Sequence, residues 1–178
     1  SGLAVAAAER YARRLVQLGA EERALRGLAR LRATSEPAIP VLRARIALAR
    51  AGEPGVALEA AAALRRMRPR DEGPDEAALR VALALRHEAC ARILQAECGA
   101  AIAPLDEARR TVSALAAARR DAAGPAGAAV HVRALLELAQ IELSEAIRVL
   151  AAQTPADPAA AREAAVAMHR AGLAAQAA

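Results

Sequence analysis

Residues 15–31 read LVQLGAEERALRGLARL, and residues 48–64 read LARAGEPGVALEAAAAL. Leu15, Gly19, Ala24, Leu25 and Leu31 recur, each 33 residues later, as Leu48, Gly52, Ala57, Leu58 and Leu64. Each segment reads as the end of one helix, a turn at the glycine and a second helix, closed by Pro37 or Pro69. Self-similarity at a period of roughly 20–50 residues marks stacked units, because one helix pair cannot bury its apolar face alone. The reading is an all-α fold of antiparallel helix pairs stacked as a short solenoid. A non-repetitive helical bundle is the alternative.

Composition agrees with the helical class. The chain has 178 residues, enough for one domain with a real core. Hydrophobic residues make up 56% and aromatics 1%, with Tyr11 the sole ring. The core must therefore be built from Leu, Val, Ile and Ala, and alanine gives up almost no side-chain entropy in a helix. β-branched residues never alternate in runs, so no strand is expected.

All 25 basic residues are arginine, and Lys and Asn are absent, a bias that a GC-rich genome explains. The formal charge of +5 admits an acidic partner without requiring one. Pairs such as Arg13-Arg14, Arg65-Arg66, Arg109-Arg110 and Arg119-Arg120 are scattered among glutamates, which suits solvated helix faces. No signal peptide is visible, and arginines break every apolar run before the ~18 residues of a membrane span. Cys90 and Cys98 lie eight apart on one expected helix, about 12 Å, beyond disulfide reach. They read as small buried residues in a reducing, cytoplasmic compartment. The opening Ser1-Gly2, without methionine, suits a cloning remnant or a piece of a longer chain.

Along the chain, helices are expected at 3–18, 21–33, 37–51 and 56–67, giving two repeat-like pairs over residues 1–69. Pro69 to Pro74 is the most polar connection and the expected break in the stacking. Longer helix pairs fill 75–153: one helix from Asp75 to Cys98, one from Pro104 to Asp121, and then Ala128–Ile141 and Ser144–Gln153, with a continuous run across the last two as the alternative. Gly124-Pro125-Ala126-Gly127 separates the last two from the rest. Asp157-Pro158 caps a final helix over 157–178 that is expected to cover the end of the stack. A second internal match supports repetition: Leu105-Asp106-Glu107-Ala108 recurs as Leu143-Ser144-Glu145-Ala146, with Val112 and Leu150 at the same offset.

These residues resemble the tetratricopeptide repeat, a pair of antiparallel helices with small residues where they cross. With Gly52 as the turn, Ala57 falls on that family's small position, Leu64 on its later apolar position and Pro69 near its closing proline. Gly19, Ala24, Leu31 and Pro37 fit nearly as well. The Leu-Asp-Glu-Ala start at Leu105 is similar to the longer, degenerate repeats of large bacterial transcriptional regulators. The chain departs from the family in filling its aromatic positions with Leu48, Leu28 and Ala61.

The resemblance implies a right-handed stack whose first helices line a concave groove that takes an extended protein segment. Carried over by register, the groove residues are Arg10, Arg13 and Gln17, then Arg43, Ile46 and Arg50, then His131, Leu135 and Leu138. Arginine forks among apolar side chains suit an acidic or carboxylate-bearing segment. Solvation of a helix face is the competing reading of the same arginines. The carboxylate clamp of chaperone-binding members uses Lys and Asn, which this chain lacks.

Chemistry is hard to assemble from these residues. His87 and Glu88 are adjacent and so diverge by about 100° on a helix. Cys90 and Cys98 are too far apart to share an ion with His87, while His131 and His169 stand alone. Each histidine reads as exposed or structurally paired. The serines show no nucleophile elbow and no glycine-rich loop follows a strand. Glu137, Glu142 and Glu145 fit local helix pairing, with Arg133 before Glu137 and Arg148 after Glu145. No cofactor or metal is expected. Single-stranded nucleic acid would want stacking rings, which are absent.

The sequence therefore points to a non-enzymatic scaffold that binds a peptide or protein segment, as a sensor or scaffold region of a larger bacterial regulator. The rival is a small-molecule-sensing helical bundle of such a regulator, with a cavity lined by Leu and Ala around the long 75–98 helix.

Overall fold

The computed structural model describes residues 2–30, 37–49, 53–122, 124–153 and Glu163. Among them the chain is entirely helical, with seven α-helices and no strand. These are α1 (Gly2–Gln17), α2 (Glu21–Ala29), α3 (Ala38–Ala49), α4 (Pro54–Arg66), α5 (Pro74–Leu94), α6 (Ile102–Arg119) and α7 (Pro125–Gln153). Each helix packs on the next in sequence, and α1, α3, α5 and α7 also pack side by side in that order. Among the described residues no even-numbered pair makes a comparable contact. The odd-numbered helices thus form one continuous row in a stacked arrangement.

Two apolar clusters hold the stack. The smaller joins Ala12 and Leu15 of α1, Ala24, Leu25 and Leu28 of α2, and Ile39, Leu42 and Ile46 of α3. The larger begins with Ala47 and Leu48 on the same α3 and runs through α4, α5 and α6 to Ala134, Ile141 and Ile147 of α7. Alanine is what lets the helices approach closely. Ala24 and Ala57, which recur 33 residues apart in the sequence, are both buried, and so are Ala60 and Ala61 beside Ala57. Ala60 is therefore a packing residue.

Helix ends explain most differences from the expected boundaries. α1 stops at a glycine: Gly19 has φ +71°, its N–H donates to Val16 O (3.0 Å) and Ala20 N–H reaches Leu15 O (2.8 Å). That is a Schellman end, where glycine takes the left-handed position at no Cβ cost. α5 ends at Leu94, four residues before the expected Cys98, through the same hydrogen-bond pattern built on alanine. Ala96 has φ +62°, its N–H donates to Ile93 O (3.0 Å) and Glu97 N–H donates to Arg92 O (2.9 Å). Arg92 also holds the Glu97 side chain at 3.1 Å. Cys98 therefore lies beyond the helix, partly exposed, while Cys90 is buried within it.

The two helices expected on either side of Ser144 are continuous, and α7 is one helix of 29 residues. No Gly or Pro interrupts 128–153. Ser144, read as a helix start, instead donates its hydroxyl to Gln140 O four residues back (2.8 Å). The connection at 67–73 is also tighter than its polarity suggests. Arg80 donates to Leu64 O (2.6 Å) and Arg65 O (3.3 Å) at the end of α4, while holding both carboxylate oxygens of Glu72 at 2.7 and 2.9 Å. The orphan carbonyls of α4 are thus satisfied from α5, and the two helices pack without a break. At the turn into α7, a Cβ on Gly127 would lie 2.6 Å from the Cβ of Ala122, so this close approach requires glycine.

The second internal match behaves differently at its two sites. Leu105, Ala108 and Val112 on α6 are fully buried. Leu143, Ala146 and Leu150 on α7 are exposed. The turn glycine Gly52, the Thr34-Ser35-Glu36 break and the expected final helix lie outside the described residues, Glu163 excepted.

Candidate functional site

The residues expected to line a groove do not share one surface. Arg10 and Gln17 on α1 are exposed, and Gln17 accepts from Arg14 at 3.2 Å. Arg13 is half-buried and holds Glu9 at 2.6 Å. Arg43 is only 3% exposed and turns toward α4, where its Nη2 donates to Glu59 at 3.2 Å. Ile46 is fully buried in the smaller core, so it packs the fold and cannot touch a partner. Arg50 lies outside the described residues. His131 donates from Nδ1 to Ala116 O of α6 at 2.9 Å, which makes it a tie between helices. Leu135 is exposed, and Leu138 packs against the larger core.

A different set converges on the row of odd-numbered helices. Arg86 of α5 is buried and holds both carboxylate oxygens of Glu137 on α7, at 2.6 and 3.3 Å. Burial alone would lower the Arg86 pKa, but the charge and hydrogen bonds of Glu137 outweigh it and the net shift is upward. Next to them on α3, Arg45 has its pKa lowered, first by burial and then by the positive charges of Arg86 and Arg13, against the opposing pull of Glu137 and Glu9. One helix each from four successive positions in the row contributes to this cluster: Glu9 and Arg13, Arg45, Arg86, and Glu137. Within these five side chains three guanidiniums face two carboxylates, a surplus of one positive charge.

Sequence reasoning chose Arg43 and passed over Arg45 and Arg86. A signal for Arg86 was available: it sits on the same stripe as Leu79, Leu83, Cys90 and Ile93, where a charge demands a partner. That partner is Glu137, which the local pattern had assigned to Arg133. Arg133 instead pairs with Glu76 on α5. The Glu145–Arg148 pair on α7 is local, as expected, at 2.6 Å, and its hydrogen bonds lower the Glu145 pKa.

Other arginines also bridge helices. Arg65 reaches Glu107 (3.2 Å), Arg109 reaches Glu142 (2.7 Å) and Arg119 reaches Asp75 (2.8 Å). Cys90 Sγ lies 3.5 Å from Ser144 Oγ, and burial pushes its thiol pKa up, so it is a packing residue with a weak hydrogen bond. His87 is buried in α5. Among the described residues no three His, Cys, Asp or Glu side chains come together as a metal-binding set. None of the described helices is long and apolar enough to cross a membrane. A shallow cleft at the start of α6 is lined by Ala103, Asp106, Arg109 and Arg110. No protein-family model, curated protein or solved structure matches this chain.

Proposed function

We propose that the chain is a non-enzymatic helical-repeat module that binds an acidic protein segment along the row of odd-numbered helices. The observation that carries this reading is the Glu9–Arg13–Arg45–Arg86–Glu137 cluster, which spans α1, α3, α5 and α7. Its Arg86–Glu137 pair is buried and closely hydrogen-bonded, and the Arg13 and Arg45 guanidiniums belong to the same cluster on α1 and α3. Arginine forks along the row, partly shielded from water, suit a carboxylate laid across it. Tetratricopeptide-like stacking, in a right-handed solenoid, is the architecture that this binding mode implies. The reading replaces Arg43 and Ile46 by Arg45 as the working residue of the second unit.

An arrayed peptide library graded from acidic to basic tests it. Acidic peptides are expected to bind, with affinity falling as salt rises. Arg45→Glu should weaken that binding at least about 10-fold, since it reverses the charge facing a bound carboxylate. Arg66→Gln, an exposed change on α4, should leave binding intact. Equal binding across the charge series, or loss through Arg66 and not Arg45, overturns the proposal.

A further inference from the structure

The back of α7 carries a second pattern, independent of the charged row. Ala129, Val132, Leu136, Ala139, Leu143, Ala146 and Leu150 follow one another at alternating steps of three and four residues. All seven are exposed, with Leu136 and Leu150 more than 60% so. The opposite face of the same helix, through Ala134 and Ile141, is already buried in the core. A helix apolar on both faces is one built to be covered on both. The strict seven-residue repeat defines a narrow seam for one further helix, where the broader stripe of a core-facing helix is wider.

The same pattern is seen doing this elsewhere in the molecule. Leu105, Ala108 and Val112 on α6 match Leu143, Ala146 and Leu150 in type and spacing, and there they are fully buried between helices. We infer that the α7 seam is an interface with a second copy of this chain, formed by two α7 helices running antiparallel about a two-fold axis near Ile141.

The seam is complementary to itself in the antiparallel orientation. Antiparallel pairing about Ile141 sets Leu136 against Ala146, Ala139 against Leu143, and Val132 against Leu150 of the second copy. Every large side chain meets a smaller one or a β-branched one, which is how close-packed helix layers interdigitate. A parallel pair would instead set leucine on leucine and alanine on alanine in alternate layers. On one flank, exposed Leu135 faces partly buried Val149. On that same flank the two Glu142 side chains meet near the axis, each held by Arg109 at 2.7 Å, which matches their charge, and on the other flank the axis passes Gln140. Covering the seam on two copies removes on the order of 1,000 Å² of surface, at the lower edge of specific interfaces, so micromolar association is expected.

The test is the oligomeric state of the whole chain by light scattering and sedimentation. Wild type should have twice the monomer mass at tens of micromolar. Leu136→Glu with Leu143→Glu should be monomeric, with unchanged helical circular dichroism and dissociation raised at least about 100-fold, because two carboxylates would be buried in each seam. Orientation is read in a Cys98→Ser background. Gln140→Cys should form an intermolecular disulfide, and Leu150→Cys should not, because antiparallel pairing puts its counterparts about 27 Å apart. A monomeric wild type overturns the inference. If the glutamate pair then lowers the melting temperature, a segment of the same chain covers the seam. A dimer indifferent to the glutamates also overturns it, and linkage through Leu150→Cys alone overturns the antiparallel axis.

Discussion

The units α1–α2 and α3–α4 carry the same small and apolar residues 33 positions apart, yet they bury different neighbours. Leu15 and Leu48 are both buried, and so are Ala24 and Ala57. Around these shared positions the units part. Exposed Arg10 corresponds to buried Arg43, and half-buried Arg13 corresponds to fully buried Ile46. The cause is position in the stack. α3 packs against both α1 and α5, whereas α1 has α3 as its one odd-numbered neighbour among the described helices. A repeat register thus fixes what lies inside a helix pair, while what lies between pairs depends on which sides are occupied.

The widest gap should appear between Ile46 and Arg13. Ile46→Ala empties a fully packed position and is expected to cost about 2–5 kcal/mol. Arg13→Ala, at a half-exposed ion pair, should stay within about 0.5–1 kcal/mol. Urea unfolding of both variants measures the contrast, and comparable losses would mean the two units are equally enclosed.

A smaller difference is expected at the shared alanines. Ala57→Leu overpacks a contact enclosed on both sides and should cost about 1–3 kcal/mol. Ala24→Leu should cost less, because the end unit can shift outward to make room. Ala62→Leu, exposed on α4, should be nearly silent. A melting temperature for Ala57→Leu equal to wild type would break the register on which the comparison rests.

The least effect, and the sharpest, concerns the two left-handed helix ends. Gly19 and Ala96 occupy the same place in the same hydrogen-bond pattern, one with the favoured residue and one without. Ala96→Gly should therefore stabilise the fold by about 1 kcal/mol, and Gly19→Ala should destabilise it by a similar amount. Open space surrounds Gly19, so its cost is purely conformational. Equal melting temperatures across all three proteins would show that these ends are already frayed.

Helix class and most helix positions were legible because they rest on local chemistry: apolar spacing, prolines at the starts of α4, α5 and α7, and glycine after α1. The end of α5 was not, since an alanine stands where glycine would have announced the turn. The continuity of α7 was left open because a serine that caps in one setting bonds back along the helix in another. Of the proposed binding surface, only arginines on the odd-numbered helices were legible. Which arginine faces outward depended on Glu59 drawing Arg43 toward α4 and Glu137 fixing Arg86 across α7. Those are contacts between residues 16 and 51 apart in sequence.

Helix α3 contributes to both apolar clusters, and that gives the stack a seam of its own in free energy. Detaching α1 and α2 would uncover Ile39, Leu42 and Ile46 but leave the larger cluster whole. The end unit is therefore a natural unit of local opening, less costly to release than the rest of the chain. A segment bound across Glu9, Arg13 and Arg45 would touch both sides of that opening. Its binding would fasten α1 and α2 to α3 by mass action, so that occupancy of the surface sets how tightly the first unit is closed.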